Sequence, residues 1–142
     1  MIHVICNPTI DEIQEMLDCI ALTQDMDKYF PMPADMSRAE HLHNGVCLLF
    51  YDEDYRPLSY CAFIYEKPNE NPFFCPMVTK FCTWQHMFLI RKAMIRVFDS
   101  EFKRGVRVYI TNKAVLSFAR ACGFVQSKRN KKIYYRRRYG RR

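Results

Sequence analysis

The chain has 142 residues, 49% of them hydrophobic and 26% charged, with a net charge of +7. That length and apolar content suit one ordinary core and exclude a disordered chain. No apolar run approaches the roughly 20 residues of a membrane span, and the opening Met1-Ile2-His3-Val4 lacks the basic and apolar regions of a secretory leader. Neither membrane insertion nor secretion is expected, and residues 1–142 read as a single domain with a basic tail over residues 126–142.

The charge is divided. Residues 1–79 hold 4 Lys and Arg against 13 Asp and Glu, a net of −9, whereas residues 80–142 hold 18 against 2, a net of +16. Part of this asymmetry is expected to be internal complementarity. The seven cysteines are scattered through apolar segments with no C-x-x-C pair, which predicts buried thiols in a reducing compartment.

In chain order, Ile2–Ile5 reads as a strand ending at Asn7-Pro8. Thr9-Ile10-Asp11-Glu12 is a capping box, and Ile10, Ile13, Leu17, Ile20 and Ala21 mark one apolar face of a helix running to about Thr23. Pro31 and Pro33 interrupt the chain. Ser37-Arg38-Ala39-Glu40 then opens a short helix that Asn44-Gly45 stops. Strands follow over Val46–Tyr51, Leu58–Tyr65 and Phe73–Phe81, forming a meander. Thr83 caps a long helix to about Ser100, with Trp84, Met87, Ile90, Met94, Val97 and Phe98 on one face. A strand at Val106–Thr111 leads to a last helix capped by Asn112, with Val115, Phe118, Ala119 and Cys122 toward the core. Gly123 takes the left-handed position that ends it, Phe124 is its apolar partner, and Val125–Tyr135 forms a terminal hairpin turning near Arg129-Asn130.

This order, with its central meander, resembles the GNAT superfamily of N-acetyltransferases over nearly the whole chain. The most specific match is Asn112-Lys113-Ala114-Val115-Leu116-Ser117-Phe118-Ala119-Arg120-Ala121-Cys122-Gly123-Phe124, similar to the family's fourth-helix pattern, and Arg56-Pro57-Leu58-Ser59-Tyr60 is similar to its G-x-P-x-G turn with both glycines replaced. The resemblance implies an α+β fold, a central mixed and mostly antiparallel sheet with helices on both faces. It also implies acetyl-CoA as cofactor, with contacts at Lys80, Thr83, Trp84 and Asn112.

Two departures touch the chemistry. The family holds the cofactor's pyrophosphate in a Gly-rich turn, where small residues let amides and the helix dipole reach the phosphates. Here Lys80-Phe81-Cys82-Thr83-Trp84-Gln85 takes that place, and no glycine lies between Gly45 and Gly105. The expectation is weak acetyl-CoA binding or no cofactor. The resemblance also implies a tyrosine general acid five residues before the closing Gly-Phe, a place held by Ala119, whose methyl group transfers no proton. Cys122 or one of the tyrosines is the alternative acid, and nothing in the sequence selects one.

Within the superfamily the chain looks most like small bacteriophage proteins, the internal virion and head-assembly proteins of short-tailed phages. That implies a catalytically degenerate protein acting in virion assembly or DNA handling, with virion proteins as partners, in the host cytoplasm or the virion. Two further classes stand beside it, a working acetyl-CoA-dependent N-acetyltransferase of unknown acceptor and a small effector directed at a host.

His41-x-His43 with Cys47, and Cys82 and His86 with Cys75, lack the paired framework of a metal site, so no metal is expected. Asp52-Glu53-Asp54 reads as a solvated turn. The strongest signal is the tail, where Lys128, Arg129, Lys131, Lys132, Arg136, Arg137, Arg138, Arg141 and Arg142 are interleaved with tyrosines and no acid. Nucleic acid or another polyanion is one partner it fits. The alternatives are docking on the protein's own acidic half and no role. If the tail serves only a partner, a cut after Tyr135 leaves the fold intact.

Overall fold

The computed structural model describes residues 1–29, 32, 37–110 and 112–137. Their elements run β1 (His3–Ile5), α1 (Ile10–Ala21), α2 (Met26–Tyr29), α3 (Arg38–Asn44), β2 (Val46–Tyr51), β3 (Pro57–Ile64), β4 (Phe73–Val78), α4 (Trp84–Glu101), β5 (Val106–Tyr109), α5 (Lys113–Ala121), β6 (Val125–Gln126) and β7 (Ile133–Arg136). The strands form one sheet in the order β1-β2-β3-β4-β5-β7-β6. β4 pairs with β5 in parallel, while β1–β2, β2–β3, β5–β7 and β6–β7 are antiparallel. The architecture is therefore α+β with a mixed, mostly antiparallel sheet. Two compact units are distinguished, Met1–Phe63 with Pro76–Met87, and Ile64–Cys75 with Phe88–Arg142.

In the first unit the capping box forms as its residue types dictate. Thr9 Oγ1 accepts from the Glu12 amide at 3.1 Å, and the Thr9 amide donates to Glu12 Oε1 at 2.9 Å. α1 buries Ile13, Met16, Leu17 and Ile20, so its apolar face includes Met16 and leaves Ile10 and Ala21 outward. β2 and β3 are buried along almost their whole length, as strands covered on both faces are. Asp52 organises the turn between them. Its Oδ1 accepts from the amides of Asp54 and Arg56, both at 2.9 Å, and its Oδ2 from Arg56 Nε at 2.7 Å.

Some elements depart from the sequence reading, for local reasons. α2 precedes the prolines and is too short to carry a periodicity signal. β4 stops at Val78, three residues before the expected Phe81, because Thr79 turns the chain. The Thr79 hydroxyl donates to the Pro57 carbonyl at 2.6 Å and accepts from the Phe81 amide at 3.2 Å. Asn44-Gly45 does end α3, but Gly45 has φ −98° and lies outside the left-handed region. Trp84, placed on the apolar face of α4 by periodicity, is 77% exposed, and the helix buries Ile90, Met94 and Phe98. β5 ends at Tyr109, and Thr111 of the expected strand lies outside the described residues.

The core of the second unit centres on four phenylalanines. The ring of Phe74 meets Phe98 edge-on at 5.1 Å and lies near-parallel to Phe118 at 5.9 Å, and Phe98 meets Phe124 edge-on at 5.5 Å. Phe124 reaches this cluster because α5 ends in a Schellman motif. The Gly123 amide bonds the Arg120 carbonyl and the Phe124 amide the Ala119 carbonyl, both at 3.0 Å, with Gly123 at φ +92°. Gly105 also has a positive φ, +123°, but a Cβ there would lie 2.9 Å from the Arg136 carbonyl oxygen, whereas at Gly123 the nearest atom is 3.8 Å away.

Two predictions follow from these contacts. Gly123→Ala meets only the backbone penalty, about 1 kcal/mol of unfolding free energy, while Gly105→Ala adds a clash with a fixed carbonyl and costs about 2–4 kcal/mol. Denaturant titration of both variants reads the difference, and equal losses would contradict the contact at Gly105. The bonds from Arg56, its amide foremost, and from Asp54 hold the Asp52 carboxyl below its ordinary value of 3.8 against the opposing effect of burial. Its stabilisation is therefore present above pH 3.8 and lost as the pH falls through the lowered folded-state value. Asp52→Asn is expected to lower stability at neutral pH and to flatten the acid limb of the stability profile.

Candidate functional site

The turn from Thr79 to His86 brings together three expected cofactor contacts, Lys80, Thr83 and Trp84, at the start of α4. Thr83 caps the helix with His86 in the place that Glu takes in a capping box. Thr83 Oγ1 accepts from the His86 amide at 3.3 Å, and the Thr83 amide donates to His86 Nδ1 at 3.1 Å. This pairing was legible as a Thr-x-x-His spacing and was missed.

These bonds occupy most of the turn's amides. The Phe81 amide bonds Thr79 Oγ1, the Cys82 amide bonds the Thr79 carbonyl at 3.3 Å, and the Thr83 amide bonds His86. The amides of Trp84 and Gln85 lie outside this set. Charge at the turn comes from side chains. Arg56 Cζ lies 5.4 Å and Lys80 Nζ 5.3 Å from the centroid of the Phe81 ring, so two cations flank one ring beside the first turn of an 18-residue helix. Arg56 had no sequence signal, since it arrives from a hairpin 25 residues before Phe81. The donors these bonds leave at the turn are Lys80 and the Trp84 and Gln85 amides, with Arg56, whose Nε is paired with Asp52 at 2.7 Å, against the same Phe81 ring.

In the second unit, Asn112 Oδ1 accepts from the Val115 amide at 2.9 Å, which makes it the helix cap its residue type predicts. Ala119 is buried, at 1% exposure. Burial shifts two thiols and one phenol. Burial pushes the Cys122 thiol up to about 12 against the pull of Arg136 and Arg91, and burial raises Cys82 to about 11. The Tyr51 phenol is raised by burial and by the carboxylates of Glu12 and Glu15. The expectation of uniformly buried thiols needs correction, because Cys6, next to the Asn7-Pro8 turn, is exposed.

The basic tail divides. Arg136 belongs to β7, and its side chain is 10% exposed. Its Nε donates to the Cys122 carbonyl at 2.6 Å, its Nη1 to Asp99 Oδ1 at 2.8 Å, and its guanidinium lies 5.4 Å from the centroid of Phe98. This residue therefore makes its contacts within its own unit, to Asp99 rather than to the acidic first half, and a cut after Tyr135 would remove them. Lys128, Arg129, Lys131 and Lys132 lie exposed on the β6–β7 turn, and exposed Arg137 packs against Tyr135 with Cζ 5.6 Å from the ring centroid. Arg138, Arg141 and Arg142 lie outside the described residues.

His43 and Cys47 line a cleft of about 180 Å³ with Cys6, Asn7 and Pro8. No group of three His, Cys, Asp or Glu among the described residues is arranged to hold a metal ion.

No protein-family model matches the sequence, and no curated protein matches it. Solved structures do match. An acetyltransferase of the GNAT family from Staphylococcus aureus superposes with a TM-score of 0.67 at 16% identity, covering 96% of this chain and 98% of its own. Spermidine N-acetyltransferase from Vibrio cholerae, a dodecamer, superposes with a TM-score of 0.65 at 10% identity, covering 95% of this chain and 92% of its own. With its mixed sheet, its parallel β4–β5 pair and the Asn112-to-Phe124 helix, the chain has the GNAT acetyltransferase fold.

Proposed function

We propose that the chain is an acyl-CoA-dependent N-acyltransferase with a low affinity for its cofactor. The observation that carries this reading is the whole-chain likeness to acetyltransferases, 95–96% of the sequence in the two cases above. The bacteriophage assembly role expected from sequence has no counterpart in those two proteins.

The cofactor supplies an acyl group activated as a thioester. Lys80 and Arg56 supply positive charge where its phosphates belong, and the amides of Trp84 and Gln85 point along the positive end of the α4 dipole. Ala119 brings no proton, so protons leave and arrive through solvent, and the acceptor amine sets its own reactive fraction. The pH profile of the rate is then expected to follow the neutral fraction of the acceptor, without a falling limb from a protein acid.

The amides withdrawn into the Thr79 and Thr83 caps each forgo a bond to a charged oxygen. Calorimetric titration is therefore expected to give acetyl-CoA a Kd between about 100 µM and 1 mM, equivalent to roughly −5.5 to −4.1 kcal/mol. Lys80→Glu is expected to weaken this at least tenfold. With a panel of primary amines that includes spermidine, CoA release should be amine-dependent. No heat at millimolar acetyl-CoA together with no amine-dependent release would overturn the proposal, and a Kd below about 10 µM would contradict the account of the crowded turn.

A further inference from the structure

We propose that the β6–β7 hairpin tip is a binding surface for the phosphate backbone of nucleic acid, separate from the acyltransferase reading. Six residues, Ser127 to Lys132, carry four exposed cations: Lys128, Arg129, Lys131 and Lys132. None of the four makes an ion pair among the described residues. Only two acids, Asp99 and Glu101, occur from Lys80 to the end of the sequence, and Asp99 is engaged by Arg136. The tip is thus a local concentration of positive charge, four cations in six residues, with no ion-pair partner among the described residues.

The tip is built, and the cations are displayed from fixed backbone. Ser127 Oγ accepts from the Arg129 amide at 3.2 Å and the Asn130 amide at 3.4 Å, while Asn130 Oδ1 accepts from the Lys132 amide at 3.0 Å. Gln126 Nε2 donates to the Lys131 carbonyl at 3.0 Å, and the Ser127 amide bonds the Ile133 carbonyl at 2.8 Å. Below the tip, the Arg136 guanidinium fastens β7 to Asp99 and to the end of α5. A ligand that meets these cations has no backbone to order, which removes one cost of binding.

The residue types favour nucleic acid over an acidic protein. The only uncharged side chains of the tip are those of Ser127 and Asn130, and both are spent inside the turn. A protein partner draws its affinity chiefly from buried aromatic and apolar anchors, and the tip has none. Phosphate binding needs no such anchor, since it is driven by the release of condensed counterions. Specificity for base sequence is not expected from cations that reach only the backbone.

The test uses the full chain and a fluorescent 20-base-pair DNA duplex, followed by anisotropy across a salt series. Four contacts predict a slope of log affinity on log salt near −3.6, or roughly a 100-fold loss between 50 and 200 mM. A variant with Lys128→Gln, Arg129→Gln, Lys131→Gln and Lys132→Gln keeps every backbone bond of the turn and should melt within about 2 °C of the parent, with its slope reduced to about −1 or less. A second variant removes the same charge elsewhere, by Lys103→Gln, Arg104→Gln, Lys113→Gln and Arg120→Gln, and should bind within about threefold of the parent. Equal losses in the two variants would reduce the effect to net charge and overturn the proposal. So would the absence of salt-dependent binding, or poly-glutamate competing as well as DNA at equal charge, which would point to an acidic protein.

Discussion

One side chain holds the second unit's last elements to its centre. The Arg136 guanidinium donates to the backbone carbonyl of Cys122 where α5 ends, pairs with Asp99 on α4, and lies over the ring of Phe98 in the core cluster. Each contact meets a separate need. The Cys122 carbonyl is one of the acceptors that a helix end leaves unsatisfied, the carboxylate offsets the desolvated charge, and the ring face supplies a cation–π contact. Through β7 the same residue pairs with Val106 of β5. Gly105 is glycine partly for this reason, since the Arg136 carbonyl stands where a Cβ would go.

This arrangement changes the meaning of the basic C-terminal sequence. Composition presents nine like charges in the last 17 residues as one block. The geometry separates them by what each side chain touches. Arg136 is inside the fold, Lys128 through Lys132 cap a hydrogen-bonded turn in solvent, and Arg137 leans on Tyr135. Charge alone does not distinguish these roles, because a buried cation and a displayed one have the same sequence signature.

Local grammar was largely readable, and long-range contacts were not. The Thr9, Ser37 and Asn112 caps, the Gly123 terminus and the order of helices and strands follow from residue types and spacing a few positions apart, and the family resemblance carried by that order implied the fold class. Errors arose where a distant partner decides. β4 ends early because Thr79 finds the Pro57 carbonyl, and Trp84 faces solvent because it starts a helix whose buried stripe begins at Ile90. At the candidate site the glycine-free turn was legible, and its amides at Phe81, Cys82 and Thr83 are taken up by bonds to Thr79 and His86. The sequence could not reveal Arg56 beside Phe81, a contact closed by a hairpin, whereas the Thr83–His86 cap was legible in the spacing and was missed.

The most direct test compares two neighbours that composition treats alike. Replacing Arg136 by Met leaves Asp99 half-exposed and the Cys122 carbonyl unsatisfied, while replacing Arg137 by Met removes only an exposed charge. Breaking a buried pair costs about 3–5 kcal/mol, and the partial exposure of Asp99 reduces that to about 2–3 kcal/mol by solvent screening. Equilibrium denaturation is expected to show Arg136→Met destabilised by that amount and Arg137→Met changed by less than about 0.5 kcal/mol. Equal and small losses in both variants would contradict the role assigned to Arg136 and return the whole basic segment to a single undivided tail.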